Sequence, residues 1–144
     1  MCASWMWEVS ELGTLISMSA SAPSFPLDEP AIAIVRTPID LAFANDFGFD
    51  GVFERQVEAL GREGDVLVGI STSGNSENVV RAFGAAKGAG LRTIALTGGS
   101  SGKLGALADI EINVPSTETS HIQEAHIAVG QLIAFLVEDE LFPR

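Results

Sequence analysis

Residues 71–76, Ser-Thr-Ser-Gly-Asn-Ser, place four hydroxyls and one glycine within six positions. An apolar run reads as a strand before them and a helical pattern follows. Three physical features suit such a loop to an anion. A helix N-terminus carries unpaired N–H donors and a partial positive charge. Gly74 lets the backbone approach closely or take a positive φ. Ser71, Thr72, Ser73 and Ser76 supply neutral donors, so a phosphate can be held without a lysine. A serine-rich turn closed by an ordinary N-cap fits the same letters, because strand-to-helix junctions often use them.

The elements that must position this loop are legible on either side of it. Ala31–Val35 is a short continuous apolar run, as expected of a strand covered on both faces. Val52–Leu60 has helical spacing and stops at Gly61. Asp65–Ile70 reads as a second buried strand. Ser76 is placed as the N-cap of a helix running to about Lys87, with Gly88 and Gly90 ending it. Arg92–Thr97 is a third strand, residues 98–102 a flexible glycine- and serine-rich turn, and Asp109–Val114 a fourth strand bounded by Pro115. A last helix spans about Thr119 to Glu140, with Ile122, Ala125, His126, Val129, Leu132, Ile133, Leu136 and Val137 on its inner stripe. Strands alternating with helices predict an α/β domain, a parallel sheet covered on both faces. Ligands of such sheets bind beyond the carboxyl ends of the strands, which points to residues 71–76 and 97–102.

Residues 1–30 read differently. Trp5–Ile16 has the spacing of a short helix, and residues 19–26 form a proline-rich, loop-like stretch followed by Asp28-Glu29-Pro30. The chain therefore divides into a divergent segment, 1–30, and one domain, 31–144. Its 144 residues, 47% of them hydrophobic, are enough for a core. With 19 acidic against 8 basic residues the net charge is −11, which argues against general binding to nucleic-acid backbone. A lone cysteine, Cys2, fits a reducing compartment. No apolar run reaches a membrane span, and the start, which carries Glu8 and Glu11, lacks the basic region of a signal peptide. The expected location is the cytoplasm.

The stretch Gly-Asp-Val-Leu-Val-Gly-Ile-Ser-Thr-Ser-Gly-Asn-Ser-Glu-Asn-Val, 64–79, resembles the signature of the sugar isomerase (SIS) domain, and more narrowly the phosphoheptose isomerases. The likeness continues through residues 44–49, 52–56, 59–62, 96–98, 108–112 and 122–126 and ends in Glu140-Leu-Phe-Pro143. It implies a three-layer, Rossmann-like SIS domain of flavodoxin type, here without the family's N-terminal helices and first strand. It implies conversion of sedoheptulose 7-phosphate to an aldoheptose 7-phosphate. Ser71, Thr72, Ser73 and Ser76 correspond to phosphate-binding residues, Asn45 and Asp46 to a substrate-contacting loop, and Gln123 to a glutamine that reaches the sugar and, in some members, a zinc ion. A homotetramer with sites at subunit interfaces is also implied.

The same resemblance marks what is missing. An aldose–ketose isomerisation needs a base to move a proton between adjacent carbons and an acid for the oxygens. In the family a glutamate after a Gly-Asn-Gly-Gly-Ser loop and a histidine on the last helix fill these roles. No such loop stands upstream of Ala31, and none of Glu8, Glu11, Asp28 and Glu29 is assigned the role. Gln131 occupies the histidine's position; an amide takes up no proton near neutral pH and is a poor metal ligand. His126 shares a helix face with Gln123 and reads as a packed histidine rather than a base, and His121 lies at the helix start, where the family usually has arginine. Catalytic residues are thus left unassigned. A truncated or misassembled start and a divergent member that has lost the chemistry both fit. The functions that follow are an isomerase of a sugar phosphate, or a non-catalytic SIS protein that binds a phosphosugar or, like some relatives, a replication-initiation protein. A structural half-domain is the third.

Overall fold

The computed structural model describes residues 14–18, 33–34 and 38–142. Most of the helix expected over Trp5–Ile16, the loop at 19–26, the acidic residues 8, 11, 28 and 29, and all but two residues of the strand expected over Ala31–Val35 lie outside them.

Continuous apolar runs become the strands of one five-stranded sheet in the order β2-β1-β3-β4-β5. These are β1 Thr14–Met18, β2 Ala33–Ile34, β3 Val66–Ser71, β4 Arg92–Gly98 and β5 Ile110–Val114. The numbers run as in flavodoxin-type sheets, but β1 is antiparallel here, so the expected parallel arrangement holds over β3, β4 and β5. β3, β4 and β5 pair in parallel, with Ser71 opposite Thr97 and Thr97 opposite Asn113. β1 runs antiparallel to both of its neighbours. Ile16, expected to end a helix, is instead paired with Val68. Thr14 and Ile16 are β-branched and favour a strand, and the pairing satisfies an edge of β3 whose backbone groups would otherwise lack partners. Tertiary pairing overrides the local helical spacing.

The helices are α1 Pro38–Phe47, α2 Val52–Leu60, α3 Glu77–Gly88, α4 Gly102–Leu107 and α5 Thr119–Leu141, with a 3₁₀ turn at Phe49–Gly51. α3 ends as its glycines predict. Leu91 N–H bonds to Ala86 O and Gly90 N–H to Lys87 O, with Gly90 at φ 79°, the 6→1 and 5→2 pattern of a Schellman cap. α4 was not foreseen: Gly98 closes β4, only residues 99–101 form the turn, and a short helix starts at Gly102.

Alternation along a strand sends neighbouring side chains to opposite faces. On one face, a Cβ at Gly69 would meet the Phe83 ring and Val79 of α3; on the other, a Cβ at Gly98 would meet Ile122 of α5. Helices therefore cover both sides. The core lies on the α3 side, where Leu67 and Ala95 from the sheet, Val79, Ala82, Phe83 and Ala86 from α3, Val52, Phe53 and Val57 from α2, and Leu104 from α4 form one buried cluster. α5 is less covered than its stripe predicts. Ile122 and His126 are buried and Ala125, Val129, Ile133 and Val137 half-buried, but Leu132 and Leu136 are exposed, because nothing among the described residues lies against the far end of that helix.

Candidate functional site

The loop 71–76 forms because β3 ends at the sheet's carboxyl edge and α3 begins six residues later. Ser71 is the buried last residue of β3, Thr72 and Ser76 are half-buried, and Ser73 is exposed. Ser76 stands at the N-cap as expected, yet its side chain does not cap α3. Its hydroxyl turns to that of Ser71, 2.8 Å away. The positive end of the helix is thus not answered by its own N-cap side chain, which is the condition an anion needs. Ser73 Oγ accepts from the Asn75 amide at 3.1 Å, while Asn75 Nδ2 donates to Ser73 O at 2.9 Å.

Gly74 takes φ 64°, and a Cβ there would run into the Ser101 carbonyl. The expectation that this glycine allows both a positive φ and a close approach is met, though what approaches is the chain's own next loop. Leu104 N–H bonds to Gly74 O at 2.9 Å and Lys103 N–H to Asn75 Oδ1 at 3.2 Å. Glu77, in the first turn of α3, sets a negative charge beside the loop. It is met by Lys103 Nζ at 3.5 Å and Arg81 Nε at 3.6 Å.

Asn45 and Asp46 do not lie in a loop. They occupy the last turn of α1, exposed, with Asn45 Nδ2 donating to Asp46 Oδ1 at 3.1 Å. The helix runs through them and stops at Gly48, φ 89°, whose N–H bonds to Ala44 O. Pro38 at the first position favours that helix, so the Asn-Asp pair lies at the end of a helix where the resemblance implied a loop. Gln123 is half-buried at the start of α5, next to Ile122, which packs on Gly98.

His126 is buried, and its Nε2 lies 3.0 Å from Thr97 O. A carbonyl only accepts, so Nε2 carries the proton and Nδ1 is left as an acceptor. Nδ1 is buried and has no partner. Burial lowers the pKa of the ring below its ordinary value, and the bond to Thr97 O offsets this only in part. A closed-off, neutral imidazole is what a packed histidine looks like; it is not placed to serve as a base.

The donors among the described residues do not fit zinc. Gln123 and Gln131 offer amides, Gln131 is exposed, and no three His, Cys, Asp or Glu gather among the described residues. No helix among the described residues is long and apolar enough to cross a membrane.

Lys103 and Ser101, which meet the loop at Asn75 and Gly74, and Thr97, Glu111 and Asn113, which bond to one another and to Ser101, were none of them singled out individually from the sequence. Sixteen residues separate Thr97 from Asn113; only strand register brings them together.

Comparison with known proteins agrees with this architecture. Residues 15–98 match the SIS domain, a span that takes in β1 and so begins upstream of residue 31. A phosphoheptose isomerase of Rhodospirillum rubrum is 52% identical over 113 residues, covering 78% of this chain and 60% of the relative. The structure of a phosphoheptose isomerase from Francisella tularensis superposes with a TM-score of 0.72 at 39% identity, over 76% of this chain and 62% of that one. That of the Neisseria gonorrhoeae phosphoheptose isomerase gives 0.60 at 55% identity, over 61% and 50%. The chain spans less than two thirds of the length of these relatives. With the family match, the sequence identity and the structural superposition in agreement, the chain belongs to the SIS domain family, and its similarity within that family falls on the phosphoheptose isomerases.

Proposed function

We propose that the chain holds a sugar phosphate by its phosphate group and serves a phosphoheptose isomerase, interconverting sedoheptulose 7-phosphate and an aldoheptose 7-phosphate. One observation carries the reading. In a chain about half identical to phosphoheptose isomerases, four hydroxyl residues ring the start of α3 and the N-cap side chain leaves that helix end uncapped. In this reading Ser71, Thr72, Ser73 and Ser76 take the phosphate oxygens together with the helix N-terminus. Gln123, Asn45 and Asp46 take the sugar. The proton transfer between adjacent carbons is assigned to no described residue, since Gln131 cannot carry a proton and His126 is shut in.

The exposed apolar residues of α5, Ile127, Leu132, Phe135, Leu136 and Leu141, support a homo-oligomer in which a second copy covers this stripe. A tetramer, as the resemblance implies, is the assembly we assign, and a reducing cytoplasm the compartment. The SIS domain is taken to reach back to about residue 15, where the family match begins, rather than to start at residue 31 as the composition change near Pro30 suggested.

The test is titration calorimetry with sedoheptulose 7-phosphate. Binding that weakens in Ser71→Ala/Ser73→Ala, by about 1.5–3 kcal/mol for each hydrogen bond to the charged group lost, supports the site. Undiminished affinity in that variant removes it. Turnover followed by NMR then separates an isomerase from a chain that only binds.

A further inference from the structure

Ser71, Thr97 and Asn113 stand in one rung across β3, β4 and β5. In-register residues of parallel strands share a face, here the one toward α3 and α4, where Glu111 also lies against Gly105. Ser71 reaches the hydroxyl of Ser76. At the other end of the rung, Asn113 Nδ2 donates to Thr97 Oγ1 at 3.0 Å and to Ser101 Oγ at 3.2 Å. The Thr97 hydroxyl donates to Glu111 Oε1, so its lone pairs are available to Asn113. The hydrogen-bond directions are consistent throughout.

Ser101 has the only positive φ of a non-glycine among the described residues, 69°. A side chain in that region is held there by its surroundings at a cost. The Ser101 carbonyl sits where a Cβ on Gly74 would be, and a Cβ on Gly102 would lie 2.6 Å from Gly74 O. The two loops thus touch backbone to backbone. The N–H groups of Lys103 and Leu104 are given to Asn75 and Gly74 rather than left for a ligand. The second strand-to-helix loop is a strap over the first.

We propose that Asn113 is a positioning residue for the phosphate loop: by tethering Ser101 in its left-handed conformation it presses the strap 99–104 onto residues 73–75 and keeps the loop shaped before any anion arrives. The proposal rests on the reading of residues 71–76 as a phosphate site, and its test separates the two.

Asn113→Ala is expected to weaken sedoheptulose 7-phosphate affinity five- to tenfold. Asn113→Ala/Ser101→Gly is expected to return it to within twofold of the wild type, because glycine holds a positive φ without a tether. A residue that only stabilised the sheet would lower the melting temperature without this rescue, and absence of rescue overturns the proposal. Ser101→Ala cuts the same tether from the loop side and leaves Asn113 bonded to Thr97, so the test survives if Asn113→Ala fails to fold. A second readout needs no ligand. In the free protein, amide exchange at Leu104 should quicken at least tenfold in Ser101→Ala, with Val79 of α3 unchanged; equal rates at Leu104 overturn the strap. If the wild type binds no sugar phosphate, the phosphate reading fails, and the exchange rates alone decide whether the strap exists.

Discussion

The side of the sheet that faces α3 and α4 and the side that faces α5 are finished to different degrees. On the first, Leu67, Ala95, Phe83, Ala82, Val79, Ala86 and Leu104 are essentially inaccessible to solvent, and α2 closes the layer with Val52, Phe53 and Val57. On the second, the first two turns of α5 bury Ile122 and His126, and then the contact ends. Phe135 is 59% exposed, Leu132 55%, Leu136 56%, and Ile110 on the outer strand 47%. Both sides carry comparable apolar patterning in the sequence. The difference teaches that the hydroxyl-rich loop at 71–76 is supported by the chain's own closed side, while the other side presents a surface suited to association. Stability and assembly should therefore respond to different residues.

The largest effect is expected deep in the closed side. Phe83→Ala should cost about 3–5 kcal/mol, because the ring fills the space between Gly69, Val79 and the sheet and a cavity would replace it. Urea unfolding followed by circular dichroism measures this, and a cost near that of a surface change would mean the core is not packed as described.

Gly69→Ala tests the same packing from the opposite direction. The added methyl would overlap the Phe83 ring, so a loss of about 1–3 kcal/mol is expected in the same assay. A neutral result would show that α3 can lift away from the sheet.

The next prediction concerns His126, the buried polar residue on the α5 side. Its folded pKa is lowered, chiefly by burial. The unfolded chain therefore binds a proton that the folded chain refuses, and stability falls as pH drops below the ordinary histidine value of about 6.5. Asp109 acts at lower pH. Its carboxyl accepts from the Thr93 amide at 2.8 Å, which holds its pKa below the usual 3.8, so its contribution is present above that value and lost as pH falls through the folded pKa. Between pH 7 and 5 the loss should thus track His126, and His126→Gln should flatten it. An unchanged slope in that variant would remove the assignment.

The smallest change in monomer stability is expected on the open side. Leu136→Glu should alter the unfolding free energy by no more than about 0.5 kcal/mol at high dilution, since the side chain is already in water. At higher concentration it should turn an oligomer into a monomer in sedimentation velocity. A wild type that is monomeric throughout would rule out a second copy as the cover for α5.

Much of this contrast is legible in the sequence, and some of it is not. The helix over Val52–Leu60 and the strands around β3, β4 and β5 follow from apolar spacing, because runs bounded by glycine and proline leave few alternatives. Residues 14–16, expected as the end of a helix on local spacing, lie instead in a strand recruited by the edge of β3. The Asn45–Asp46 pair was expected on a loop, yet the helix runs through it and stops two residues later, at Gly48.

By itself, the sequence determined the α/β class and the hydroxyl-rich loop at 71–76, since both depend on residues adjacent along the chain and on local physical chemistry. Tertiary structure decided which partners surround that loop. The Ser71–Thr97–Asn113 rung joins residues far apart in the chain, and only the parallel register brings them level. It also decided that the eight-residue stripe on α5 is buried at one end, while toward the other Leu132 and Leu136 are exposed. Helical spacing defines a face, but whether that face is buried depends on what lies against it.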